Sequence, residues 1–203
     1  MNIIIKDENV LTSGQVTASY LEKNDIAERV YLLGGEALEK ELCQRGIMVT
    51  QEDCDCVVVG YDRNFTYKKM AKAVRLIAGG AKFICTNGDL TIPHGDSFVP
   101  HTGAIALSIE AATGVKPSVM GKPEVTMLNK ALDILNCKRE DCCIIGDRLD
   151  TDIIMGVNFG IPSYLVLTGV TDNELLRQSK IKPTMVFKDL CEVLKYDKSL
   201  INI

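Results

Sequence analysis

Cys142-Cys143-Ile144-Ile145-Gly146-Asp147-Arg148-Leu149-Asp150-Thr151-Asp152 decides how the carboxyl half of this chain is read. A short apolar run of strand type ends in Gly-Asp and passes at once into a polar segment that can open a helix. In an open parallel sheet, ligands gather beyond the carboxyl ends of the strands, so Asp147 stands where chemistry is done. A carboxylate there is a hard oxygen ligand for Mg²⁺, an ion that keeps several waters and joins one or two carboxylates to a phosphate. Asp152 can return to the same rim. Thr151 is expected to cap the helix that follows, with Asp152 facing the positive end of its dipole. The competing reading has both aspartates capping a turn and nothing more. A calcium loop is excluded, because the alternating acids from Asp150 do not continue to the required glycine and distal glutamate.

Outward from this stretch, β-branched runs alternate with amphipathic segments, the pattern of parallel β-α-β units. Towards the carboxyl end, strands are expected at Cys142 to Ile145, Ser163 to Leu167 and Met185 to Phe187, the first two of buried type, and a last helix at Lys188 to Lys195. Towards the amino end, Val30 to Leu33 reads as a strand, Gly34-Gly35 as a turn, and Glu36 to Arg45 as a helix. Val57 to Val59 is the next strand. Tyr67, Met70, Ala71, Val74 and Ile77 share a helical face, which Gly79-Gly80 terminates. Lys82 to Cys85 is a strand leading into a loop with Pro93, Gly95 and Pro100. Helices follow at Thr102 to Ala112 and from Pro123, with Leu128, Ala131, Leu132 and Leu135 on one face of the latter. Gly34-Gly35 lacks the third glycine of a dinucleotide fingerprint, so a tight turn explains it.

The chain has 203 residues and a net charge of −4, with no basic block, which argues against nucleic acid or an anionic membrane as partner. The apolar run Ile3 to Ile5 is broken by Lys6-Asp7-Glu8, so neither a signal peptide nor a membrane span is expected, and the reading is cytoplasmic. Eight cysteines are scattered through expected strands and helices, consistent with reduced thiols that pack as small hydrophobes. Cys54-Asp55-Cys56 and Cys142-Cys143 lack zinc-site spacing. Lys122, between Gly121 and Pro123 just before a helix, can aim an ammonium at an anion near that helix's amino end.

Gly121-Lys122-Pro123, Gly146 to Asp152 and Leu165-Val166-Leu167-Thr168-Gly169-Val170 together resemble the haloacid dehalogenase (HAD) superfamily. The likeness is to subfamily IIA, the branch of 4-nitrophenylphosphatase, phosphoglycolate phosphatase and pyridoxal phosphatase. Val57-Val58-Val59-Gly60-Tyr61-Asp62, Phe83 to Asp89 and Ile109 to Gly114 extend it over nearly the whole chain from about Val10. The resemblance implies an α/β fold: a partial Rossmann-like parallel core at 1–25 and 101–203, with an inserted α/β cap at 26–100. It implies Mg²⁺-dependent hydrolysis of small phosphate monoesters through an aspartyl-phosphate. Lys122 would steady nucleophile and phosphate, Asp147 would bind Mg²⁺, and Asp152 would support that site. Asn87 and Asp89 would contact substrate, against the plainer reading of turn residues around Gly88. A homodimer through the cap is compatible with the resemblance.

The departure concerns the nucleophile. Family members open with a strand ending in Asp-x-Asp-Gly, and these 203 residues contain no such segment. Asp53-Cys54-Asp55 precedes its strand, and Asp62-Arg63-Asn64 lacks the second acid. Covalent catalysis then has no first step, so the expectation is a truncated, catalytically impaired phosphatase relative, and whether the chain acts as an enzyme stays open. The alternative is a non-catalytic module that binds a phospholigand or oligomerises. The Cys142 to Ile145 strand is expected to present an unpaired edge that invites association. His94 and His101 fall in the loop before Thr102, where a solvent-facing histidine is the plainer reading and a pH-sensitive substrate contact at His101 the sharper one.

Overall fold

The computed structural model describes residues 6–196, so the Ile3 to Ile5 run lies outside the described residues. The chain forms two compact units, Met1–Ile134 and Leu135–Ile203.

In the first unit, α1 (Ser13–Lys23) opens on a capping box: Gln15 N donates to Thr12 Oγ1 and Thr12 N to Gln15 Oε1, which satisfies two amide donors that a helix start leaves over. There follow β1 (Arg29–Leu33), α2 (Glu36–Cys43), β2 (Met48–Val49), β3 (Cys56–Val59), α3 (Tyr67–Ala78) and β4 (Lys82–Cys85). Next come β5 (Thr91–His94), β6 (Ser97–Pro100), α4 (Thr102–Thr113) and β7 (Ser118–Val119), and α5 (Val125–Leu135) runs up to the unit boundary. Five strands make one parallel sheet in the order β2-β1-β3-β4-β7. The chain passes from β1 to β2 on one side and then crosses to β3 on the other, so the order reverses between β1 and β3.

Alternation along the strands sends side chains to both faces, and both are covered. Val30, Cys56, Val58 and Ile84 meet Val16 and Leu21 of α1 and Leu38 and Leu42 of α2. Tyr31, Leu33, Val57, Val59, Phe83 and Cys85 meet Ala73 and Ile77 of α3 and Ile105, Ala106 and Ile109 of α4. Each large side chain buried this way contributes about 1.5–3 kcal/mol before entropy is counted. The packed body therefore extends past both ends of residues 26–100, taking in α1 and α4.

Several local expectations change. α2 stops at Cys43, two residues before Arg45. The segment expected as a loop around Pro93 and Pro100 is an antiparallel hairpin, β5 on β6; each proline sits opposite a partner in a two-stranded ribbon, where a missing N–H is tolerated. Tyr67, the first residue of α3, is 80% exposed and so leaves the apolar face it was expected to share. α5 begins at Val125, after a cis Lys122–Pro123 bond.

In the second unit, β8 (Ile144–Gly146), α6 (Ile154–Phe159), β9 (Ser163–Val166), α7 (Asn173–Gln178), β10 (Met185–Phe187) and α8 (Leu190–Tyr196) build a parallel sheet in the order β10-β9-β8. Leu149, Ile153 and Leu165 form one buried cluster, and Val166, Phe187 and Val193 another. β8 is shorter than expected and only half buried, with Ile145 37% exposed. Among the described residues it pairs with β9 alone.

Candidate active site

In the second unit the Gly-Asp step puts Asp147 directly past the end of β8, as parallel-strand geometry requires. Its Oδ2 accepts from Val170 N at 2.7 Å, and its carbonyl accepts from Thr171 N at 3.1 Å. Leu149–Ile153 then makes one wide π-type turn into α6, a local widening that recurs at functional sites. That turn brings Asp152 back to the rim: its Oδ2 accepts from Arg148 N at 3.2 Å, and it is 5% exposed. Asp150 points away and pairs with the Arg148 guanidinium, Nη2 to Oδ2 at 3.0 Å.

Two glycines fit this rim closely. A Cβ at Gly169 would run into the Asp147 carboxylate, and one at Gly146 into the Asp152 side chain. Thr151 is no cap, contrary to expectation. It lies inside the turn, 3% exposed, because the π-type turn starts two residues earlier at Leu149. The hydroxyls of Thr151 and Thr171 are buried without a hydrogen-bond partner among the described residues.

The donor set suits a hard divalent cation. Asp147 and Asp152 supply carboxylate oxygens, and the two threonine hydroxyls are oxygens still needing partners. Mg²⁺ asks for one or two carboxylates and completes its shell with water and phosphate. Among the described residues no cluster of three or more His, Cys, Asp or Glu forms, so any cation held here would take much of its shell from water and ligand.

The other predicted residues fall in the first unit. Asn87 Oδ1 accepts from Asp89 N at 3.2 Å, and the Asn87 carbonyl accepts from Cys85 Sγ at 2.9 Å. Burial pushes the Cys85 thiol up to about 12, so it is inert at neutral pH. Asp89 O accepts from Gly103 N at 2.8 Å. Gly121 N donates to Thr86 O at 2.8 Å, and a Cβ at Gly121 would lie 2.5 Å from that oxygen. The Gly121-Lys122 step therefore presses against the Thr86 to Gly88 segment. The turn chemistry and the expected contact residues thus occupy one corner.

A cavity of about 770 Å³ opens at the carboxyl ends of β1, β3 and β4, at the point where strand order reverses. Asn87 lines it. So does Asp62, whose side chain is 3% exposed, with Lys69 Nζ 2.7 Å from Oδ2 and Asn64 N 2.8 Å from Oδ1. His101 is no loop histidine in solvent. It precedes α4 and stacks on Tyr61 at 4.7 Å between ring centroids, while the Arg63 guanidinium lies 5.6 Å over the same Tyr61 ring. The floor of the cavity is glycine: a Cβ at Gly60 would stand 2.6 Å from Leu38 Cδ2. Tyr61, Asp62, Arg63 and Lys69 went unassigned in the sequence. An acid three residues after a strand and an Asp-x-Asn turn were the available signal.

Parallel sheets flanked by helices, with glycine-cradled carboxylates at a strand end, make this a Rossmann-like α/β protein. A HAD-hydrolase-like family model matches residues 119–193. An acid sugar phosphatase of Staphylococcus saprophyticus is 41% identical over 96% of this chain and 76% of its own length. The 4-nitrophenylphosphatase of Thermotoga maritima has 38% identity and a TM-score of 0.89 over 94% of this chain and 74% of its own. NagD from E. coli K-12 has 33% identity and a TM-score of 0.83 over 94% and 75%. The chain belongs to the HAD superfamily, subfamily IIA, and its α/β fold is that of HAD phosphatases. Among the described residues no helix is long and apolar enough to cross a membrane.

Proposed function

We propose that this chain handles small phosphate monoesters as a Mg²⁺-dependent HAD phosphatase does, with sugar phosphates as the leading substrate class. The observation that carries the reading is the glycine-lined rim at the end of β8, where Asp147 and Asp152 are held by backbone amides. Asp147 would hold Mg²⁺ and Asp152 would support it. Bound there, the ion would supply charge neutralisation for a phosphate. Lys122 would steady the phosphate, and Asn87 and Asp89 would contact the organic part, with residues 26–100 acting as the cap of a core formed by 1–25 and 101–203. The acid sugar phosphatase relative supports the substrate class. A cytoplasmic setting accords with eight free thiols, and a homodimer through the cap accords with the family resemblance.

The 203 residues hold no Asp-x-Asp-Gly, so turnover by this chain alone is expected to be impaired. That observation also favours a second reading, a module that binds phospholigands or associates with other chains without turnover. One experiment separates them: 4-nitrophenyl phosphate hydrolysis with Mg²⁺ beside Asp147→Asn, followed by calorimetry with small phosphate esters. Mg²⁺-dependent binding or turnover lost in the variant upholds the site. Binding without turnover selects the module, and neither binding nor turnover from folded protein overturns both.

A further inference from the structure

The second unit carries a thiol pair that this site does not use. Cys137 follows α5, and Cys142 stands two residues before β8. The short turn Arg139–Asp141 folds the chain back between them, so that the two Sγ atoms lie 2.7 Å apart. Both residues are partly exposed, which gives small solutes access.

We infer that Cys137 and Cys142 are a thiol–disulfide exchange site, closing a reversible intrachain disulfide at the expense of a low-molecular-weight disulfide, RSSR. One protein thiolate attacks a sulfur of RSSR, forming a mixed disulfide and releasing RS⁻. Its neighbour attacks the protein-bound sulfur, closes the Cys137–Cys142 bond and releases the second RS⁻. The two protein thiols give up two electrons and two protons, and RSSR leaves as two RSH.

Location makes the pair selective. Cys43 and Cys191 are exposed, on α2 and α8, and are expected to stop at the mixed disulfide. Cys56 and Cys85 are buried, their thiols pushed up to about 12 by that burial, and are expected to stay unreacted. Burial, and after it the contact with Cys137, pushes the Cys142 thiol up to about 11. Closure is therefore expected to speed up with pH as the Cys142 thiolate forms. The closed ring would pin the turn feeding β8, the strand that delivers Asp147.

The whole chain is incubated with oxidised glutathione, quenched in acid, blocked with N-ethylmaleimide and digested without reductant for mass spectrometry. A linked Cys137–Cys142 peptide lighter by two hydrogens is expected, forming faster with rising pH. In Cys142→Ser the link is lost and Cys137 retains the glutathione adduct. Cys137 and Cys142 recovered as blocked thiols or as separate adducts, while Cys43 and Cys191 are modified, would overturn the inference. A Cys142–Cys143 link would do the same. Because the wild-type map decides the question, a misfolded variant leaves it decidable.

Discussion

The two sheets of this molecule are made alike and finished differently. The first unit places its five parallel strands between α1 with α2 on one face and α3 with α4 on the other, and β3 has strands on both sides. Among the described residues the second unit has three strands, small clusters around Leu165 and Phe187, and a β8 that pairs with β9 alone. Yet the less enclosed sheet holds the carboxylates, and the enclosed one holds the cavity. Packing and chemistry are therefore unevenly shared: the sturdier sheet supports a shaped concavity, while the sparser one carries Asp147, half-buried, and Asp152, buried, at the end of β8.

The largest test of that contrast is a matched core truncation. Leu33→Ala in the first unit should cost about 2–5 kcal/mol, since Leu33 is fully buried among many neighbours. Leu165→Ala, equally buried in a smaller cluster, should fall near the lower end of that range, because a site with fewer walls collapses more fully. Hydrogen exchange resolved by peptide reads each unit separately. Equal costs would break the comparison.

A smaller effect is expected at the rim. Gly169→Ala drives a methyl into the Asp147 carboxylate, an overpacking worth about 1–3 kcal/mol. It should weaken Mg²⁺ binding in calorimetry while exchange in β1 and β3 stays as in the parent chain. Unchanged Mg²⁺ affinity would detach the glycine from the site.

The smallest concerns acid. Asp55 Oδ2 accepts from Arg29 N at 2.9 Å and Glu28 N at 3.2 Å, joining the start of β3 to the start of β1. The Arg29 amide, more than any other neighbour, holds its carboxyl below the ordinary 3.8. A depressed carboxylate stabilises the fold above its unfolded pKa, and that share is lost as pH falls through the lower folded value. Asp55→Asn should flatten the acid side of the stability curve of the first unit below about pH 4 and leave the second unit unchanged. Exposure of this side chain keeps the effect small. An acid limb identical to that of the parent chain would remove Asp55 from it.

Much of the fold was legible because periodicity is local. Val30 to Leu33, Lys82 to Cys85 and Met185 to Phe187 announce strands within a residue of where they form. The β5–β6 hairpin was not legible, since Pro93 and Pro100 argue against strands until a two-stranded ribbon excuses them. Asp147 was legible as a strand-end acid, whereas the role of Gly169 was not, because its contact spans 22 residues of sequence and only the fold supplies it. His101 was misjudged for the same reason: its stacking partner Tyr61 lies on another strand end, and no spacing rule links the two. Thr151 failed differently, as a wide turn began two residues before the expected helix.

The bare glycine floor at Gly34 and Gly60 has one more consequence. A methyl at position 60 would force the Leu38 side chain aside, whereas one at position 34 asks Leu32 and Leu38 to give by only a few tenths of an ångström. On the rim above, Tyr61, Arg63 and Asn87 border the cavity, while Asp62 is tied to α3 through Lys69. Change at Tyr61, Arg63 or Asn87 therefore disturbs the packing beneath less than change at the base, which leaves the lip of the bowl the freer part to vary.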